Sequence, residues 1–146
     1  MASKQILLVE DNPHLYELTS SSISVAAPDC EVLWARDGQQ ALDFMWAHAN
    51  FSHRKASDLP DLVILDMNLP DLSGLQVLRE LRGHPRTALV PLVMLTSSRL
   101  PEDILACYRH GANGYVAKPV AFTHYRSKLL RLVQFWLEVN EAPVPL

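Results

Sequence analysis

The stretch Leu62-Val63-Ile64-Leu65-Asp66-Met67-Asn68-Leu69-Pro70 runs four apolar residues together, then places a carboxylate ahead of a proline-bearing loop. A short apolar run with no alternating polar residue reads as a strand buried on both faces, as in a parallel sheet covered by helices. The same order recurs at Ile6-Leu7-Leu8-Val9 before Glu10-Asp11, at Leu92-Val93-Met94-Leu95 before Thr96, and at Tyr115-Val116-Ala117 before Lys118. In open parallel sheets the ligand crevice lies beyond the carboxyl ends of the strands. Asp11, Asp66, Thr96 and Lys118 are therefore expected to meet at one edge. Two carboxylates, a hydroxyl and an ammonium can together hold a divalent cation and a phosphoryl group.

Helical patterns separate these runs. The first strand is expected over about residues 4–10, followed by a helix with Asn12 as cap, Pro13 at its first position and Leu15, Leu18, Ser22 and Val25 on one face. Cys30–Ala35 reads as the second strand. Asp37 with Gln40, and Ser73 with Gln76, have capping-box spacing and open the next two helices. Residues 50–60 are polar and without period, the natural place for a long loop. Pro101-Glu102-Asp103 opens a fourth helix, with Arg109, His110 and Gly111 at its end. A short fifth strand, Gly114–Ala117, precedes a last helix over 122–139. Five strand–helix units give an α/β, doubly wound, five-stranded parallel sheet with helices on both faces, in one domain over 1–146. Its core spans about 4–139, a tail covers 140–146, and no second, output domain is expected.

The composition, with a net charge of −3, 49% hydrophobic and 20% charged residues, is that of an ordinary globular chain. It offers no basic patch for nucleic acid and no run long enough to span a membrane, so a cytoplasmic location is expected. Cys30 and Cys107 are too far apart in sequence for a zinc ribbon. His48 and His53 have poor metal-ligand spacing. His14 follows the acidic pair closely enough to tune it, whereas His84, His110 and His124 read as surface residues.

From Lys4 to Glu138 the chain resembles a response-regulator receiver domain. The resemblance rests on Glu10-Asp11, Asp66, Leu69-Pro70 with Gly74, Thr96-Ser97, and Tyr115 three residues before Lys118-Pro119. It implies a flavodoxin-like strand order of 2-1-3-4-5 and a phosphoacceptor role for Asp66, whose carboxylate attacks phosphorus as aspartyl nucleophiles do. It also implies Mg²⁺, with Mn²⁺ or Ca²⁺ able to substitute, bound by Asp11, Asp66 and the backbone carbonyl of Asn68, with Glu10 acting through water. Thr96, the Ser97 N–H and Lys118 would bind the phosphoryl oxygens. Thr96 and Tyr115 would form the switch, and the Lys118–Pro119 bond would be cis. The expected partner is a sensor histidine kinase. The long 50–60 insertion and the Phe135-Trp136-Leu137-Glu138 ending resemble the small regulators that serve phytochromes, which points to a phytochrome kinase.

Two other functions compete. A phosphatase with an aspartyl nucleophile needs a second carboxylate two residues on as general acid, where this chain has Asn68, so no enzyme is expected. A phosphorylation-independent dimeric scaffold would keep its contacts when Asp66 is replaced. The last helix carries Phe122, Tyr125, Leu129, Leu132, Val133, Trp136 and Val139 in one stripe, widened by Leu130 and Leu137. That is broader than one sheet contact requires. A homodimer through Tyr125, Leu129, Leu132, Phe135 and Trp136 is the expected use of the surplus, with tail residues 142–146 folded over it as the alternative.

Overall fold

Every one of the apolar runs becomes a strand, and all five pair in parallel in the order β2-β1-β3-β4-β5. The computed structural model describes residues 3–143. Its elements are β1 (Gln5–Val9), α1 (Pro13–Ala26), β2 (Glu31–Ala35), α2 (Gly38–Trp46), β3 (Leu62–Leu65), α3 (Gly74–Gly83), β4 (Leu92–Thr96), α4 (Pro101–Arg109), β5 (Gly114–Ala117) and α5 (Phe122–Gln134). A π-helical turn, Phe135–Val139, extends α5. Of the expected tail, residues 144–146 lie outside the described residues, and Glu141, Ala142 and Pro143 are exposed.

Alternation along the strands explains why each run had to be apolar throughout. Leu7 and Val9, Val63 and Leu65, and Leu92 and Met94 point to one face and pack with Phe44, Met45, Val77, Leu78 and Leu81. Ile6 and Leu8, Leu62 and Ile64, and Val93 and Leu95 point to the other and pack with Ile23, Tyr125, Leu129 and Val133. A polar residue at any of these positions would be buried without a partner, at a cost of about 1–3 kcal/mol by mutational measures. Truncating one of the leucines to alanine would cost about 2–5 kcal/mol.

The caps form as the spacing suggests. Asn12 Oδ1 accepts the N–H groups of His14 and Leu15, Asp37 accepts from Gln40, and Ser73 and Gln76 make a reciprocal capping box. Gly111 follows α4 with φ of +100°, the left-handed conformation that favours glycine. The 50–60 segment holds a short 3₁₀ turn, Ala49–Phe51, at its start. The Arg54 guanidinium lies 3.6 Å over the Phe44 ring and donates to the Phe44 and Asp58 carbonyls, so the loop is tied to α2.

Two expectations fail. The buried residues of α1 are Thr19, Ser22 and Ile23, whereas Val25 is 66% exposed. The two hydroxyls are buried because they find partners: Thr19 shares a 2.6 Å bond with Tyr125 Oη, and Ser22 donates to the Leu18 carbonyl. The second failure concerns α5. Tyr125, Leu129 and Leu132 are at most 7% exposed within this chain and cannot form a dimer surface. The helix packs on α1 as well as on the sheet, and two contacts need a wider stripe than one. Trp136 is half-buried against the same core, which leaves Phe135, at 45% exposed, as the outward member of the expected set.

Candidate functional site

The carboxyl ends of the strands bring Glu10, Asp66, Thr96 and Lys118 to one edge, each at or just past the end of its strand. Lys118 Nζ donates to Glu10 Oε2 at 2.9 Å and to Asp66 Oδ2 at 2.8 Å, and the three side chains are 8, 6 and 9% exposed respectively. The other oxygens are also held. Asp66 Oδ1 accepts the Asn68 N–H at 3.1 Å and Glu10 Oε1 accepts the Asn12 N–H at 3.2 Å. On the outer flank the Trp34 indole donates to the Glu10 carbonyl at 2.7 Å, stacks on Tyr16 at 4.0 Å and lies under the Arg36 guanidinium.

Burial sets the charge balance of this cluster. It pushes the Glu10 carboxyl above the usual glutamate range, with the nearby Asp66 charge adding to the effect, and the Lys118 ammonium offsets this only in part. Burial would also lower Lys118, but Asp66 and Glu10 outweigh it and hold the ammonium above the usual lysine range. With both carboxylates ionised, one ammonium leaves one negative charge in excess, and the exposed Asp11 adds another at the rim. Among the described residues no three acidic, histidine or cysteine side chains form a closed metal cage. A hard cation that keeps most of its waters needs only one or two carboxylates, so the oxygen donors present fit one.

Gly74 is the reason the loop after β3 can fold this tightly. Its N–H bonds the Met67 carbonyl at 2.9 Å, and a Cβ there would lie 2.1 Å from the Asp66 carbonyl oxygen. The start of α3 is thus pressed against the backbone of the acidic residue itself.

Thr96 is fully buried at the end of β4, and its Oγ1 has no hydrogen-bond partner. An unsatisfied buried hydroxyl costs about 1–3 kcal/mol, so its place at the strand end beside Lys118 calls for a physical reason. The Thr96 carbonyl accepts the Lys118 N–H at 2.8 Å, which ties the two residues across β4 and β5. Ser97 and Asn68 are exposed beside them. Tyr115 is half-buried: its hydroxyl donates to the Ser98 carbonyl at 2.9 Å and lies 3.7 Å from Met67 Sδ. Burial raises the Tyr115 phenol.

The described residues contain no cis peptide bond, so Lys118–Pro119 is trans, against expectation. The lysine's four-carbon stem reaches both carboxylates from the trans backbone, and the X–Pro preference at stake is only about 0.5–1 kcal/mol. His48 and His53 are exposed and His14 points to solvent, so none joins the cluster. Sequence reasoning missed that Glu10 pairs directly with Lys118, because a residue at a strand end gives no sign of its depth. It also missed Met67, whose sulfur lies 3.7 Å from both Cys107 Sγ and the Tyr115 hydroxyl.

A buried acidic pair at the carboxyl edge of a 2-1-3-4-5 sheet, with a lysine across it and a hydroxyl awaiting a partner, defines a class of phosphate-handling signalling domain. Residues 6–130 match the response regulator receiver domain, and the chain belongs to that family, whose members act in two-component signalling. Among curated relatives it is 31% identical to Rcp1 of Synechocystis sp., called a response regulator, over 96% of this chain and 93% of that one. It is also 31% identical to FilR2 of Methanothrix harundinacea, a probable methanogenesis regulatory protein, over 96% and 88%. The crystal structure of phosphorylated RcpA, a cyanobacterial phytochrome response regulator, superposes with a TM-score of 0.91 at 29% identity, covering 98% of this chain and all of that one. Rcp1 in its Mn²⁺-bound form superposes at 0.89 with 30% identity over 97% and 99%. The chain is thus similar over nearly its whole length to response regulators that work with phytochromes. Among the described residues no helix is long and apolar enough to cross a membrane.

Proposed function

We propose that the chain accepts a phosphoryl group on Asp66 from the phosphohistidine of a sensor kinase and signals through the flank formed by α4, β5 and α5. The observation that carries this reading is the partnerless Thr96 hydroxyl beside a Lys118 already bonded to Asp66. An Asp66 carboxylate oxygen attacks phosphorus, the bond to the histidine nitrogen breaks, and that nitrogen keeps the electron pair. The products are an acyl phosphate and an imidazole, which leaves neutral because its other ring nitrogen carries a proton as the bond breaks. Lys118 neutralises one phosphoryl oxygen, while the Thr96 hydroxyl and the Ser97 N–H donate to the others. Asp11, Asp66 and the Asn68 carbonyl would hold Mg²⁺, which supplies further neutralisation of the transferring group, with Glu10 reaching it through water. The Mn²⁺-bound form of Rcp1 supports a divalent ion in this role.

Once Thr96 is drawn to the phosphoryl group, the half-buried Tyr115 is the aromatic placed to respond. Its bond to the Ser98 carbonyl links it to the loop before α4. The resemblance to RcpA, a cyanobacterial phytochrome response regulator, supports a phytochrome-type histidine kinase as the upstream partner, in the cytoplasm. A homodimer is supported by apolar side chains left outside the core on α4 and at the end of α5. Leu105 and Tyr108 are 48 and 50% exposed, and Phe135 and Val139 are 45 and 66% exposed. Incubation with acetyl phosphate and Mg²⁺ should add one phosphoryl mass to the intact protein and none to Asp66→Ala, with sizing of both showing a phosphorylation-dependent dimer. An unmodified wild type, or a variant that still gains the mass, would overturn the assignment.

A further inference from the structure

The opposite edge of the sheet, where β4 and β5 begin, holds a cleft of about 840 Å³ that the phosphoryl site does not use. Three guanidinium groups line it, Arg79 and Arg82 from α3 and Arg109 from α4, together with His110 and the half-buried Trp136 indole. Glu141 is the one acidic side chain on its wall among the described residues. The C-termini of α3 and α4 face the same space, each equivalent to about half a negative charge. With Glu141 they fall short of offsetting three guanidinium groups, so the cleft is locally positive in a chain whose net charge is −3.

Arg82 is built in rather than trailing into solvent. Its Nε donates to the Gly111 carbonyl at 2.9 Å, Nη1 to the Val90 carbonyl at 2.8 Å and Nη2 to Asn113 Oδ1 at 2.9 Å. Gly111 makes room for the stem, because a Cβ there would lie 3.0 Å from Arg82 Cγ. All of these acceptors are neutral, and no carboxylate pairs with Arg82 among the described residues. The fold therefore fixes a positive charge and leaves it unneutralised. Arg79 and Arg109 are exposed at the mouth and make no ion pair or side-chain hydrogen bond among the described residues. The guanidinium fork matches phosphate oxygens in pairs, an indole face accepts a flat ring, and the volume lies within the range of small-molecule sites.

We propose that this cleft binds a nucleoside phosphate, its phosphates on Arg79 and Arg109 in front of Arg82 and its base against Trp136, independently of Asp66. The test is calorimetric titration of the full chain at low ionic strength, without divalent metal, using ADP, inorganic pyrophosphate and a hexaglutamate peptide as probes. ADP should bind at one saturable site. Arg79→Gln/Arg109→Gln should weaken ADP and pyrophosphate alike, by about tenfold or more from the loss of two charge-assisted contacts. Trp136→Leu should weaken ADP but not pyrophosphate, Trp136→Phe should restore ADP, and Asp66→Ala should change neither. No saturable heat with ADP, an unchanged affinity in the double arginine variant, loss of binding in Asp66→Ala, or tighter binding of the peptide than of ADP would each overturn the proposal.

Discussion

Replacing Thr96 with valine should stabilise the resting protein while impairing its phosphorylation. Valine keeps the shape and β-branching of threonine but removes a hydroxyl that is fully buried and bonds nothing. Relief of an unsatisfied buried donor is worth about 1–3 kcal/mol. At this chain length about 1 kcal/mol raises Tm by roughly 2–4 °C. The acyl phosphate changes the sign, because the threonine hydroxyl would then donate to a charged oxygen, worth about 1.5–3 kcal/mol. Valine forfeits that bond, so phosphorylated protein at a fixed acetyl phosphate concentration should fall by about tenfold or more. Thermal melts of both proteins, alongside intact-mass occupancy, measure the two halves separately. A variant that melts several degrees lower would mean that the hydroxyl is already satisfied at rest. Unchanged occupancy would mean that it never meets the phosphoryl group. Either result refutes the reasoning.

Lys118→Met removes the ammonium between Glu10 and Asp66 and should cost about 3–5 kcal/mol, the usual penalty for stranding a buried charge. Glu10, already above its ordinary value, should rise further, so the folded variant binds a proton more readily than the unfolded chain. Its stability should therefore increase as pH falls from neutral through that raised value, and denaturant melts that are flat between about pH 5 and 8 would contradict this. In the wild type the raised Lys118 contributes fully below the ordinary lysine value, and that contribution is lost only as pH climbs through the higher one. Gly74→Ala places a methyl group 2.1 Å from the Asp66 carbonyl oxygen. It should destabilise by about 3 kcal/mol or more and abolish phosphorylation; normal urea midpoints and normal modified mass would count against the close contact. Tyr125→Phe orphans the Thr19 hydroxyl and should cost about 1–3 kcal/mol, with Thr19→Val in the same chain recovering most of it. A double variant no more stable than the single one would show that the 2.6 Å bond is not what the pair contributes.

The sheet was legible because a strand buried on both faces leaves no choice of residue type: Leu62 to Leu65 and Leu92 to Leu95 admit one reading. Its 2-1-3-4-5 order came from the family resemblance and agrees with the structure. The meeting of Asp66, Thr96 and Lys118 followed from strand ends sharing an edge. What stayed hidden were pairings between distant residues. Thr19 was not on the expected inner face of α1, and only Tyr125 supplies the partner that lets it be buried. The α5 stripe looked excessive because its second neighbour, α1, leaves no trace in the α5 sequence. Glu10 was expected to act on a metal through water, and only the reach of Lys118 shows it to be buried in a direct ion pair. The Lys118–Pro119 bond was read wrongly because either isomer suits the same letters.

The bond from the Trp34 indole to the Glu10 carbonyl has a spectroscopic consequence. Trp34 touches the backbone of the residue whose carboxylate faces Asp66, whereas Trp46 and Trp136 line the clefts near the other end of the sheet. With those two changed to phenylalanine, fluorescence from the remaining tryptophan becomes an optical gauge on the acidic cluster. A titration with metal ion alone, followed by emission, would then register occupancy directly, without a label or a phosphodonor.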